Sequence, residues 1–432
     1  MSDRNLSRRT DVEIMFDGVD ISDSIRNHLL SMTYTDSEDD ESDDLEIRIE
    51  DKNQVWLEKW LSKTVEAAVS PGGGNAGSYR VTPKAGLNVR QGAGTDAKKL
   101  GALPYGTEVK VISKENGWAK IEYQGGTAYV SANYIKENGS SSPTGSASVG
   151  MSIRASIVRR NWRSDGQDER LECGQFELDS VDAEGPPDTI TFRAAALLFT
   201  ASIRETLKSK SWENYRLSGI VKEIAGKNQM SAMFKSDYDP LYKRKEQSKE
   251  SDIAFLRRLC QDAGLSLKVT DRTLVVFDSA EYEKQTPVLT IRRGDGSYTE
   301  RHLRVGSAAT QYQSCRVSYN DPETGRKIEG VEKVPDYDAN AENNRQLEIT
   351  AKVDSAGEAK ALAKKRLRMA NRYAKTGSFN MSGNPALVAG VTVELDGWGP
   401  WSGKYVISQA RHEIGAGGYT TGIEIRRCLD GY

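Results

Sequence analysis

Few of the 432 residues have side chains suited to chemistry. Four cysteines (Cys173, Cys260, Cys315, Cys428) and three histidines (His28, His302, His412) are the candidate metal ligands and nucleophiles. A zinc site draws them in closely spaced pairs, and these seven are scattered with no CxxC among them. They read as free buried thiols and structural imidazoles, with no metal site. Gly72, Gly74 and Gly77 have the spacing of a dinucleotide-binding loop. A helix-like stretch, 56–67, precedes them where a buried strand is needed, and no amphipathic helix follows. No HExxH, P-loop, EF-hand loop or nucleophile–base spacing occurs. Asp and Glu number 62, yet no pair stands in a frame that would hydrolyse a glycoside. The residue types therefore point to no catalytic residue, no cofactor and no enzyme.

What is left is surface. Lys plus Arg, 60, nearly cancels the acids to a net charge of −2, which argues against a nucleic-acid binder relying on bulk positive charge. Hydrophobic residues make up 37% of the chain, and no run approaches the ~20 apolar residues of a membrane span. Met1 to Asp11 lacks the apolar core of a secretory signal. Without such a signal the sequon Asn138-Gly-Ser140 carries little meaning. Two charged stretches stand out. Thr35 to Asp44 is an acidic run, readable as a solvated loop or as an acidic face for a basic partner. A helix opened by the capping box Ser355-Ala-Gly-Glu358, with its end read at Gly377, carries Lys360, Lys364, Lys365, Arg368 and Arg372 on one face. That face reads as solvated or as a contact with an acidic surface.

The elements that position these residues follow from periodicity. Val12, Ile14 and Phe16, then Leu45, Ile47 and Ile49, then Phe176 and Leu178, then Ile190 and Phe192 alternate as half-buried strands do. The middle is mixed. Ser251 caps a helix over Ile253 to Ala263 that stops at Gly264, and strands 265–269 and 274–277 follow. Gly/Ser-rich linkers at 70–78 and 138–148 bracket about 60 residues, a small domain inserted into a larger one. At ~150 residues per domain the length allows about three.

The segment 174–193 also resembles 403–426. The matched positions are Gly174/Gly403, Phe176/Tyr405, Leu178/Ile407, Val181/Ala410, Glu184/Glu413, Ile190/Ile423, Phe192/Ile425 and Arg193/Arg426, with a second turn four residues longer. Each copy reads as a hairpin ending with its arginine outside. Two related β-modules in one chain would let a trimer present six, matching a six-fold partner within closed symmetry.

The insert resembles a bacterial SH3 domain over about 78–137. The resemblance rests on Gly86-Leu-Asn-Val-Arg-Gln-Gly-Ala-Gly94, Leu100 to Val109, Asn116-Gly-Trp-Ala-Lys-Ile121 and Thr127 to Ile135. It implies a small barrel filled by Val89, Val109, Val111, Trp118, Ile121 and Val130. Such domains often bind cell-wall peptides or glycans. Tyr105, Tyr123, Tyr129 and Tyr134, with Trp118, either form a binding cluster or only pack the barrel. The outer chain, 8–68 and 150–432, resembles the phage late control protein D family, the baseplate hub of contractile tails and tailocins. Its matching stretches are Glu172 to Ala196, Ser251 to Gly264 with the hairpin behind it, and Gly383 to Arg426.

That resemblance implies an α+β, mainly β chain of tandem β-barrel hub domains with a mixed middle region. The expected domains are 8–70 with 150–200 (first barrel), 78–137 (insert), 201–285 (middle) and 286–432 (second barrel). It also implies a homotrimer that adapts a hexameric inner tube to a trimeric spike among other baseplate proteins. Such a protein is made in the bacterial cytoplasm and built into a tail particle. Arg193, Arg426, Lys364, Lys365 and Arg368 are the candidate interface residues. The alternative is an effector that binds or hydrolyses cell wall, targeted by the insert.

Overall fold

The computed structural model describes residues 7–16, 19–38, 42–52, 77–83, 86–115, 117–123, 126–137, 151–196, 202–306, 311–322, 324–342, 344–429 and 431. The helix-like stretch 56–67 and nearly all of both linkers lie outside them. The chain forms two compact units, Gln54–Val149 and the remainder.

The remainder is organised on one thirteen-stranded sheet. A first module contributes β1 (Arg9–Phe16), β2 (Leu29–Ser37), β3 (Asp44–Glu50), β4 (Ser152–Arg160), β5 (Glu169–Glu184) and β6 (Thr189–Ala195). A second contributes β7 (Leu289–Arg292), β8 (Tyr298–Val305), β9 (Lys375–Ser382), β10 (Thr392–Asp396), β11 (Gly403–Gly415) and β12 (Gly418–Arg427). A two-residue strand, Val19–Asp20, edges β1. The strand path runs β1-β4-β5-β6-β3-β2-β11-β12-β9-β8, and β10 pairs with both β11 and β7. The alternating residues do what their period demands. Ile14, Phe16, Ile47, Phe176 and Phe192 are buried in the first module, with Phe16 and Phe192 edge to face at 5.5 Å. Phe379, Leu395, Trp398, Tyr405, Ile407, Ile423 and Ile425 form the core of the second. Each such side chain contributes about 1.5–3 kcal/mol on burial.

The two modules share register, not only alternation. Gly174 and Gly403 both take positive φ, +98° and +123°. The β5–β6 ladder slips between Leu178 and Ser180, and the β11–β12 ladder slips between Ile407 and Gln409, the matching bulge. Ile153 pairs Phe176 as Val393 pairs Tyr405. Phe192 pairs Ile47 as Ile423 pairs Phe379. Even the slip between Leu29 and Ser31 on β2 recurs between Tyr298 and Glu300 on β8. The first half of the sequence match therefore stands, and the second half moves by two residues. Val181 faces Phe192 and Ala410 faces Ile423, so Phe192 corresponds to Ile423 and Arg193 to Glu424. Arg426 corresponds to Ala195. The second turn is two residues longer, not four. A slip of two leaves every inward residue inward, so alternation alone does not detect it.

Between the modules, helix α1 (Asp252–Ala263) packs on the hairpin Ser266–Thr270 and Thr273–Phe277. Ser251 Oγ accepts from the Ala254 amide at its start, and Gly264 closes it at φ +67°. The hairpin turns through Asp271 and Arg272, both at positive φ. The short helix α2 (Ser279–Glu283) follows. Helix α3 (Ala356–Asn371) lies on a separate sheet of Ser314–Asn320, Lys327–Lys333 and Gln346–Thr350. At Gly330 a Cβ would sit 2.3 Å from the Lys360 amide nitrogen, so glycine permits this approach. The helix ends at Asn371, ahead of Gly377, which lies within β9.

The insert is a seven-stranded sheet around Tyr79, Val81, Val89, Val109, Val111, Ile121 and Val130. Trp118, expected inside, is half-buried on the outward side of its strand, because Ala119 and Ile121 take the inward positions. The first and last strands pair, Tyr79 opposite Glu137, so the chain enters and leaves side by side. Because these neighbouring ends belong to a compact unit with its own core, deleting 72–148 leaves the outer unit folded. Its thermal midpoint shifts by no more than ~2 °C in calorimetry; aggregation of the deletion variant would contradict this separation.

Candidate interaction surfaces

Among the described residues no three His, Cys, Asp or Glu gather to hold a metal ion. All four cysteines are buried, and none is in a disulfide. Burial pushes the Cys315 thiol up to about 11 and the Cys173 thiol higher still. Neither is a ready nucleophile. His412 is buried, with Nδ1 2.7 Å from the Tyr419 hydroxyl and Nε2 3.0 Å from the Leu387 carbonyl. Burial holds its pKa down to about 4, so the ring is neutral at ordinary pH. It is a structural histidine stacked on Tyr34.

Part of the acidic run and part of the basic helix converge inside, while Asp44, Lys360 and Lys364 are exposed and 39–41 lie outside the described residues. Asp36, Glu38 and Asp43 are all buried. Glu38 receives Arg426 in a bidentate pair, Nε to Oε2 at 2.8 Å and Nη2 to Oε1 at 2.5 Å. Arg426 Nη1 donates to Glu283 on α2 at 2.7 Å. Glu283 Oε2 also accepts from Arg368 on α3 and from the Leu429 amide. Beside this network Lys268 pairs with Asp36 and lies 3.6 Å from Asp43, and Asp36 accepts the Ala389 amide at 2.8 Å. Lys365 pairs with Asp278 at the start of α2. Burial pulls the Arg426 pKa down, but the Glu38 carboxylate and then Glu283 outweigh it and push it above its ordinary value. Burial and the nearby Asp36 push the Asp43 carboxyl up to about 7 against the pull of Lys268.

Arg426, expected at an interface, is buried instead. It does lie on the face of β12 away from the barrel core, as its parity requires. That face is covered by the element carrying Glu283, and the residue is 0% exposed. Arg368 and Lys365 are likewise engaged within the chain, and of the expected basic interface residues on α3 Lys364 stays exposed. Glu283, Asp278 and Lys268 carry this network and were not singled out by sequence. Each is an isolated charge in a short element, and only the fold shows what it meets.

Arg193 does point outward. Its guanidinium pairs with Glu46 on β3 and Asp182 on β5. It borders a groove of about 640 Å³ lined also by Thr35, Glu46, Arg204, Arg257 and Arg411. The groove sets guanidinium and carboxylate groups side by side at the surface.

On the insert the five aromatic residues fall into three places. Tyr105 and Tyr134, 62% and 53% exposed, flank Val81–Thr82, since Gly106 donates to the Val81 carbonyl and Thr82 to that of Tyr134. Tyr129 lies opposite both Lys120 and Arg90 on the outward sheet face, one strand from Trp118. Tyr123 packs against the core, its hydroxyl over Gly101.

The comparisons with known proteins agree on both units. The profile of the family described as phage tail baseplate hub (GPD) matches residues 162–418, and that of the bacterial SH3 domain matches 85–136. The probable baseplate hub protein of Escherichia phage P2 is 32% identical over 165 residues, covering 36% of this chain and 40% of that protein. The chain thus matches less than half the length of this curated relative. Two solved folds span 97% of both chains: the tail protein from Neisseria meningitidis, TM-score 0.57 at 11% identity, and a 43 kDa prophage tail protein from Shewanella oneidensis, TM-score 0.53 at 12%.

Removing one member of a buried ion network strands the others. Arg426→Met is expected to lose about 3–5 kcal/mol in urea unfolding, whereas Arg193→Met at the exposed pair is expected to lose far less. Equal, small losses at both positions would show that the buried network anchors nothing.

Proposed function

The chain belongs to the phage tail baseplate hub (GPD) family, and we propose that it is a structural hub without catalytic activity. Three copies place six related modules around one axis. The ring so formed adapts a hexameric inner tube to a trimeric spike, and other baseplate proteins bind around it. Assembly takes place in the bacterial cytoplasm, into the baseplate of a phage tail or tailocin. The observation that carries this reading is the shared register of the two modules, with matching bulges and matching positive-φ glycines. Duplicated modules let three-fold symmetry imitate six. Obligate interfaces of this kind usually bury ~2,000 Å² or more. Arg193 and Lys364, both exposed, are the proposed contact residues on the remaining free surface.

The insert adds a second role to the same hub. Tyr105 and Tyr134 on one rim, and Trp118 with Tyr129 beside Lys120 on the sheet face, are the proposed contacts for peptidoglycan or a neighbouring baseplate protein. Exposed aromatic planes flanked by polar groups suit sugar and peptide ligands.

Light scattering of the purified chain is expected to give the mass of three copies, and the trimer is expected to bind its tube and spike proteins. A strictly monomeric chain with affinity for neither would refute the hub. Isolated peptidoglycan is expected to retain the full-length protein and release the variant lacking 72–148; equal retention of both removes the wall-binding role.

A further inference from the structure

Resting on the hub reading, we propose that one copy of this chain joins the next through an antiparallel strand ladder, pairing 180–184 of one chain with 302–306 of its neighbour. Inside the chain the two modules are already joined in this way. The second half of β11, Gln409 to Gly415, pairs with β2, Ser37 to Ser31. The mate of that half-strand in the first module is the end of β5, Ser180 to Glu184. It pairs with β6 on one side and, among the described residues, makes no backbone pairing on the other. The mate of β2 is β8, which pairs only with β9 among the described residues. Each chain therefore holds one completed joint and the two halves of a second, at widely separated places on its strand path.

Carrying the internal register across sets the partners. Ala410 faces Asp36 and His412 faces Tyr34 within the chain. Their mates place Val181 opposite Val305 and Ala183 opposite Leu303. On the other face Arg411–Thr35 and Glu413–Thr33 become Asp182–Arg304 and Glu184–His302. Transposition fixes these positions without reference to charge, yet both polar pairs join an acid to a base. Asp182 already holds Arg193, so Arg304 would extend a row running from Glu46 through Arg193 and Asp182. The apolar side gains as well, because Val305 is 46% exposed in the single chain. Pro186 and Pro187 follow Glu184 and have no amide proton, which ends the ladder there and keeps the edge short. The contact is head to tail, and such contacts close into a ring when the rotation allows. Three chains of two modules satisfy that condition with every joint alike.

The internal ladder also selects the cross-link that tests this. The Glu38 amide donates to the Ser408 carbonyl, so the position three residues on, Arg411–Thr35, is a non-hydrogen-bonded pair. Such pairs stand about 4.5 Å apart between Cα atoms, inside the roughly 4.4–6.8 Å range of a disulfide. Asp182→Cys with Arg304→Cys, oxidised mildly, is expected to give covalent dimers and trimers on a non-reducing gel, while each single variant runs as a monomer. As a second measure, Arg304→Asp is expected to weaken assembly at least tenfold, and adding Asp182→Arg to restore it. A protein that scatters as a trimer but forms no intermolecular cross-link overturns the ladder and leaves the hub reading standing. A monomer under all conditions overturns both.

Discussion

The pairing of β2 with β11 is the constraint on which the outer unit depends. It is a short stretch of backbone ladder, yet it joins the two modules into one sheet. Backbone pairing fixes register but is strong only when neighbouring side chains are also satisfied. Here the satisfaction comes from buried charge. Glu38 lies just beyond the end of β2 and meets Arg426 of β12, and Asp36 within β2 meets Lys268. A guanidinium left alone in that interior would cost several kcal/mol. Shifting the seam by one residue would separate these pairs and turn Tyr34 and His412 outward. The seam is therefore specified twice, by the ladder and by the ions beside it.

Much of this was legible in the residues. Alternation identified β1, β3, β5 and β6, the repeat added the β11–β12 hairpin, Ser251 and Gly264 marked α1, and Ser355 opened α3. The glycine-divided motifs of the insert gave its barrel. The repeat was visible because Gly174 and Gly403, each needing positive φ, stand at the same distance from hydrophobic neighbours. Its far half was misaligned because the second turn is two residues longer, a step that moves the register and preserves parity. Arg426 and the acids Asp36, Glu38 and Asp43 were misjudged for another reason. A charge on a strand's outer face is solvated unless another element covers it, and sequence periodicity carries no information about cover. Trp118 shows the reverse case, a large apolar residue placed outward because Ala119 and Ile121 already filled the barrel.

The functional consequence is a division of labour between surfaces. The interior charges join the two modules to α2 and α3. The groove beside Arg193 and the rim residues Tyr105 and Tyr134 of the insert stay exposed. Two modules that share bulges, glycines and cross-strand partners can offer similar surfaces to a six-fold ring. The chain's own symmetry need only be three-fold. The insert is a compact unit with its own core, and its first and last strands pair so that the chain enters and leaves it side by side.

An electron cryomicroscopy map of the purified assembly tests the central claim most directly. The account predicts a closed ring in which β1–β6 and β7–β12 alternate at nearly equivalent positions, superposable by rotations of about 60°. A map in which the two modules occupy different radii or unlike environments would contradict it.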